Sequence, residues 1–554
     1  MVLLLSFSTI AAAEAAYDDQ ENPSDIIRLE DNSAENIFAF FQHGTIMDVD
    51  GEPKLLYSHE DVKTFYELNG YRSAWRDRRH IISLLNLITD SRHLGLKPSN
   101  SDYSYSSIRH LLSTVEENDG EFDEMGSRAK LDILLTDAFM ALGYHLNFGM
   151  THMLDISEHH AVDRRELDIV AVLQHALESG EIEENLLALE PEHDGYRKLK
   201  EALYHYIAME ESGGWEMLKG PADGSDKERF RFNESLQERL EITGDYNYNG
   251  SLPHLKYEER LKEAVIRFQE RNNLAPDGVV GRHTLSVLNS SVDEVIEKLI
   301  LNMERWKWLP AHMEPEYVVV NIPDYKLRVV EGNTTALEMK VIIGKHQRKT
   351  PTFDAEMSNL VFNPYWRVPE TILKEDLLPK VKQDFGYLKE KEIKIFNAND
   401  RHEYTSINPE HIDWDEMDEE SITHYKFRQE PGAKNPLGYV KFIFPNRFNV
   451  YIHDTPAKEK FNFEKTMFSS GCIRVRKPIE LAAYLLKRDH PETTYKDIFD
   501  RILSGKVKGI WFKNRLHVYI TYQTAWVDGA NTLHIRDDIY DFDDDLAAML
   551  RDKL

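Results

Sequence analysis

A chain of 554 residues exceeds what one hydrophobic core supports and predicts two to four domains. With 41% hydrophobic and 11% aromatic residues there is material for several cores, which excludes a wholly disordered chain. Its 96 Asp and Glu outnumber 67 Lys and Arg for a formal charge of -29, which repels polyanions and argues against nucleic acid as a partner.

The chain opens with an apolar run from Val2 to Ile10, then A-x-A patterns at Ala11 to Ala13 and Ala13 to Ala15, then acidic residues. This is the layout of a cleavable export signal over 1–16, followed by a polar linker over 17–36. The positive n-region is missing, the first cation being Arg28, and an ordinary buried N-terminal helix is the alternative. No later stretch supplies the roughly 18–20 continuous apolar residues of a membrane span, so none is expected after signal cleavage.

From 37 to 235 the patterning is helical. Ile81, Leu84, Leu85 and Ile88 recur at helical spacing, as do Leu131, Leu134, Leu135 and Ala138 with Phe139 and Leu142, and they predict the core faces of a helical scaffold domain. "KPSNSDYS" interrupts it, and "ESGGWEMLKGPADGSDK" reads as Gly-rich linker. Residues 236–292 form a separate unit with a stripe at Leu261, Ala264, Val265 and Phe268, a Pro276-Asp277-Gly278 turn and a short helix from about Arg282, a three-helix mini-domain.

From 293 to 545 the period changes to strands, in "YVVVNIPDYKLRVVEGN", "YVKFIFPNRFNVYIH" and similar runs. A charged insertion at about 371–437 predicts a lid or subdomain near a site. The acidic end lacks the glycine of a calcium loop, and 546–554 reads as a solvated tail. The fold class expected is multidomain α+β: a mostly helical scaffold, a small three-helix domain and a β-rich domain with an inserted lid.

Cys472 is the single cysteine, separated from His453 by 18 residues and inside a Ser-Ser-Gly-Cys-Ile-Arg string. In an exported chain it has no internal disulfide partner, which leaves an intermolecular bridge or a reactive thiol, an inert buried cysteine being the bland alternative. A cysteine nucleophile needs a base, a cation and oxyanion donors. His453 ends a strand and supplies the imidazole, Gly471 lets backbone amides approach a carbonyl, Arg474 supplies fixed charge, and Ser469 and Ser470 add hydroxyls. Metal chemistry is not expected, since 23 histidines include no H-E-x-x-H and one cysteine excludes a Cys-rich zinc site. "GKHQRKT" is rejected as a phosphate loop because Met339 stands where the first glycine belongs and His346 follows the lysine. Papain-like order is excluded too, because here the histidine precedes the cysteine.

Two resemblances carry this further. Ala264, Val265, Phe268, Gln269, Leu274, Asp277, Gly278, Gly281, Thr284, Leu288 and Asn289 match "AVxxFQxxxxLxxDGxxGxxTxxxLN", so the small unit resembles a peptidoglycan-binding domain, either a working one or a structural spacer. "HDTPAKEKFNFEKTMFSSGCIRV", with "KTPTF", "VFNPYWRVP" and "PGAKNPLGYVKFIFPN", resembles the L,D-transpeptidase catalytic domain of YkuD-like fold over about 295–540, and the upstream domains are similar to those of the large YcbB-like members.

The resemblance implies a cysteine acyltransferase of the Gram-negative periplasm. It would cleave the L-D bond before the terminal D-alanine of a tetrapeptide stem and form 3-3 peptidoglycan cross-links on a diamino-acid amine. It implies Cys472 as nucleophile, His453 as proton donor and acceptor, backbone amides near Gly471 and Cys472 with Ser470 as oxyanion donors, and Arg474 as clamp. A backbone carbonyl near Ser469 or Ser470 is expected to orient His453, Asp454 being an alternative. Tyr451, Trp366 and Tyr439 are expected to line the pocket, although Trp366 and Tyr439 serve equally as core aromatics. No cofactor is implied; the partners are stem peptides, with other wall-synthesis enzymes as further candidates. An L,D-carboxypeptidase using water, and a non-catalytic wall-binding scaffold, are the alternatives.

Overall fold

The computed structural model describes residues 33–552 except 45, 50, 98–102, 118–125, 152–159, 162–165, 221–225, 247–255, 333, 401 and 404. The expected signal and most of the first linker lie outside the described residues.

One helix organises the N-terminal part. Ser127–Phe148 carries apolar residues around its whole circumference, and Leu131, Ile133, Leu135, Phe139, Met140 and Leu146 are all buried, so other helices must surround it. Ser33–His43, His59–Leu68, Tyr105–Glu117 and Ile169–Ser179 do so. The stripes at Ile81–Ile88 and Leu131–Leu142 both face this core. Two carboxylates sit inside it. Asp132 accepts from the hydroxyls of Tyr66 and Ser73, each at 2.6 Å, and from the amides of Ala74 and Trp75. Asp137 accepts from the amides of Tyr57 and Ser58, while burial pushes its carboxyl up to about 6. Such donors offset the cost of removing a carboxylate from water.

The small unit is built from helices Asp226–Ile242, Tyr257–Arg271 and Arg282–Leu288 around Leu236, Leu240, Ala264, Val265, Phe268 and Leu288. Gln269 is 1% exposed, and its amide group ties three motif positions together: Nε2 donates to Asp277 Oδ1 and Thr284 Oγ1, and Oε1 accepts from the Gly278 amide. Gly278 has φ +71°, and a Cβ there would meet Lys262 at 2.5 Å. The preceding Gly-rich segment is not the free linker expected. The Trp215 ring lies 3.8 Å beneath the Arg239 guanidinium and its Nε1 donates to the Ser290 carbonyl, while Leu218 exchanges two hydrogen bonds with the Asn289 side chain. These contacts dock the segment onto the unit.

Helix Val292–Lys307 heads the strand-rich region in sequence but packs against helix Asp194–Glu211 and the hairpin Ala525–Val527/Leu533–Ile535, joining the scaffold to the C-terminal part. Beyond it eight strands close on themselves, in the order 440–443, 452–453, 473–475, 334–344, 326–331, 316–321, 508–521 and 352–362, the last pairing back onto the first through Val440 and Phe362. Met467–Ser469 adds in parallel to 334–344. Closure removes exposed sheet edges. Val318, Leu327, Ile343, Leu360, Phe442, Ile452, Ile473 and Val518 fill the inside, and helices Pro478–Asp489 and Tyr495–Leu503 pack on it.

Between the barrel strands, residues 366–437 make a subdomain with its own core of Leu373, Val381, Leu388, Ile395, Trp414 and Phe427 and a three-stranded antiparallel sheet of Trp366–Arg367, Tyr425–Gln429 and Ile393–Asn397. Among the described residues no helix is long and apolar enough to cross a membrane.

The acidic end differs from the solvated tail expected. Phe542–Asp552 is a helix whose Leu546, Ala547 and Leu550 are buried in the core of the helical domain, and Asp543 pairs with Arg305 and Lys298. Charge density hid the i, i+1, i+4 apolar set. Leu546 is 0% exposed, so Leu546→Ala should destabilise the protein by about 2–5 kcal/mol, seen as a lowered thermal midpoint; a midpoint unchanged by the substitution would contradict this packing.

Candidate active site

The site rests on strand register. Ile452–His453 pairs in parallel with Ile473–Val475, matching Ile452 to Ile473 and His453 to Arg474, and the Ile473 amide donates to the Tyr451 carbonyl at 3.1 Å. On the other side Lys441 pairs with His453 and Phe442 with Ile452. Successive side chains alternate between faces. Phe442, Ile452 and Ile473 therefore point into the apolar core, and Lys441, His453, Arg474, Tyr451 and Cys472 share the opposite face. His453 and Cys472 are diagonal neighbours on adjacent strands, a separation that an imidazole spans.

His453 is 4% exposed, and its Nδ1 donates to the backbone carbonyl of Asp454. That bond leaves Nε2 as the acceptor. Burial, the Arg474 charge and the nearby lysines push the imidazole down to about 3. The Cys472 thiol is pushed up by burial, against the opposing pull of hydrogen bonds from the Tyr451 amide and hydroxyl and of the Lys441 and Arg474 charges. At rest these shifts favour a neutral thiol beside a neutral imidazole. Desolvation is the reason: each ion taken alone costs more in this pocket than its neighbours return.

Tyr451 lies beside both centres: its ring centroid is 5.6 Å from that of His453, and burial together with the neighbouring Cys472 sulfur pushes its hydroxyl up. Gly471 has φ +106°, the left-handed region that favours glycine, and turns the chain directly before Cys472. Its amide, expected in the oxyanion role, donates instead to Ser469 Oγ at 3.2 Å; among the described residues no partner engages the Cys472 amide. Ser469 does not orient the histidine, because its carbonyl accepts from the Lys345 amide at 3.0 Å and the orienting carbonyl belongs to Asp454. The Asp454 carboxylate is occupied elsewhere, by the amides of Tyr439 and Thr455 and by Lys458. Ser470 Oγ accepts from Arg348 at 2.8 Å. Tyr439 is 40% exposed at the start of the strand carrying Lys441. Trp366 packs on the core of the inserted subdomain, the second of its two expected roles.

Four contributors were not found from sequence. Lys441 places its ammonium 3.6 Å from the Tyr451 ring centroid. Thr350 donates to the Gly471 carbonyl at 2.8 Å and accepts from the Gly344 amide, and the Lys345 amide holds Ser469, so the discarded "GKHQRKT" loop braces the nucleophile turn from behind. Arg348 joins that turn to the inserted subdomain through Glu375 and Asp376. The alternation in "YVKFIF" was the available signal for Lys441; the loop residues gave none, since their contacts cross more than a hundred positions. Among the described residues no group of His, Cys, Asp and Glu could hold a metal ion.

Comparison with known proteins matches residues 315–497 to the YkuD model, "L,D-transpeptidase catalytic domain", residues 60–203 to "Scaffold domain" and residues 234–288 to "Putative peptidoglycan binding domain". The chain is 33% identical over 304 residues to a Haemophilus influenzae protein named "Putative L,D-transpeptidase", across 53% of this chain and 60% of that relative's length. The chain therefore carries a YkuD L,D-transpeptidase catalytic domain joined to a peptidoglycan-binding domain, in a multidomain α+β architecture, and these domains imply a cell-envelope location.

Because the thiol is raised and the imidazole is pushed down to about 3, alkylation of Cys472 by iodoacetamide should still be climbing with pH beyond the ordinary thiol range near 8.5, with no step near 6.5. Mass spectrometry of the singly alkylated chain from about pH 5 to pH 9 measures this; a rate constant already level below pH 7 would mean a preformed ion pair.

Proposed function

We propose that the protein is a periplasmic L,D-transpeptidase that makes 3-3 cross-links in peptidoglycan. Cys472 Sγ attacks the carbonyl of the third residue of a tetrapeptide stem while His453 Nε2 accepts the thiol proton, then returns it to the nitrogen of the departing D-alanine. The resulting thioester is attacked by the side-chain amine of a diamino acid on a second stem, which restores the thiol and forms the new amide. The Cys472 amide is the oxyanion donor in this scheme, acting beside Arg474.

The observation that carries this reading is the shared face of Tyr451, His453, Cys472 and Arg474, with Nδ1 of the histidine committed to a carbonyl and Nε2 left to work as base. Proton transfer coupled to attack suits the neutral resting pair, since neither ion needs to persist in a dry pocket. Export and a peptidoglycan partner accord with the matched domains.

Incubating the enzyme with disaccharide-tetrapeptides and weighing the products tests the scheme. A dimer lacking one D-alanine is expected; tripeptide monomer alone would make the protein an L,D-carboxypeptidase with water as acceptor, and no turnover would leave a wall-binding scaffold. Cys472→Ser should abolish product, and His453→Ala should slow acylation by about two to four orders of magnitude.

A further inference from the structure

Lys441 and Arg474 are two cations without a carboxylate. They stand in one row across adjacent strands, Lys441 paired to His453 and His453 to Arg474, on the face that holds Cys472. Neither forms an ion pair or side-chain hydrogen bond among the described residues, and Arg474 Nε is buried with no partner. Their neighbours differ: Arg348 is paired with Glu375 and Asp376, and Arg367 and Arg428 with Glu403. In a chain with 96 acidic residues against 67 basic ones, two half-buried cations left unpaired on either side of His453 are a departure from the general pattern, and a costly one. Burial depresses both, so each gains from an anion brought into the site.

We propose that Lys441, with Arg474, forms a carboxylate subsite that grips the free C-terminal carboxylate of the donor stem and so selects stems by their terminus. This rests on Cys472 attacking a stem peptide. The terminal carboxylate is one residue beyond the attacked carbonyl, about 3.8 Å in chain spacing; Arg474 is two residues from Cys472 on the same face, and Lys441 is two strands away, about 9.6 Å between backbones, a gap that its four-carbon stem and the donor's last residue close together when the donor lies across the strands. The Tyr451 ring beneath the ammonium holds it by a cation–π contact in the absence of an anion and steers its approach. The subsite explains why the lysine is not simply a hydrophobe at a position walled by Val361 and His453.

The test measures binding apart from chemistry. Cys472→Ala protein is titrated calorimetrically with a tetrapeptide stem as free acid and as C-terminal amide, then again with Lys441→Met or Lys441→Arg added. The free acid should bind about ten- to a hundredfold more tightly than the amide. Lys441→Met should remove most of that preference and Lys441→Arg should keep much of it. In the active enzyme, Lys441→Met should raise KM for the free acid more than it lowers kcat. Equal binding of acid and amide by the Cys472→Ala protein itself overturns the proposal, whatever the variants do. So does a preference that survives Lys441→Met, a preference that responds only to amidation of the acceptor stem, or a variant whose sole change is a displaced pH profile of Cys472 alkylation. If the wild type forms neither thioester nor product while the Lys441-dependent preference persists, the reaction assigned above fails and the subsite stands.

Discussion

Everything at the reactive centre depends on one parallel strand pairing. Two short strands, Ile452–His453 and Ile473–Val475, are joined in a register that sends Ile452 and Ile473 into the barrel, and a one-residue slip would exchange those isoleucines with His453 and Arg474. The slip would bury two polar side chains and expose two large apolar ones, so the hydrophobic core itself fixes which side chains share the face of Cys472. Parallel strands need a long connection, and the residues between them supply it. That connection is also where the nucleophile turn is held, by Thr350 on the Gly471 carbonyl and by Lys345 on Ser469.

The same burial that fixes geometry sets the electrostatics. A dry pocket disfavours an isolated thiolate and an isolated imidazolium alike, and the two neighbouring cations act on these groups in opposite directions, favouring the sulfur anion and opposing the protonated ring. The carbonyl of Asp454 does what a carboxylate does in other nucleophile–base systems: it fixes a tautomer without adding charge. With a neutral carbonyl on its Nδ1 side, the imidazole has little to hold a second proton in the resting site.

Much of this was legible in residue order. Apolar spacing at 3.6 and 2.0 separated the helical from the strand-rich parts, and the string around Cys472 pointed to His453 because the chemistry of a thiol nucleophile asks for few residue types. The failures share a cause. A backbone carbonyl near Ser469 or Ser470 was expected to orient the imidazole, with the Asp454 side chain as the alternative, yet every residue has a carbonyl, and only the turn after His453 decides which one faces Nδ1. Thr350 and Arg348 reach residues more than a hundred positions away, a relation created by barrel closure. At the C-terminus six aspartates between 537 and 545 outweighed a set of three buried apolar residues, because surface charge dominates composition while packing depends on one face of a helix.

The wiring of Gln269 bears on what a motif records. Its amide binds Asp277, Gly278 and Thr284, and Asn289 clasps the backbone of Leu218, so the letters by which the small domain is recognised are largely its internal fasteners. Recognition by sequence thus reports that the three helices are laced together, and it stays silent about glycan. A domain with no affinity for any sugar could spell the same word.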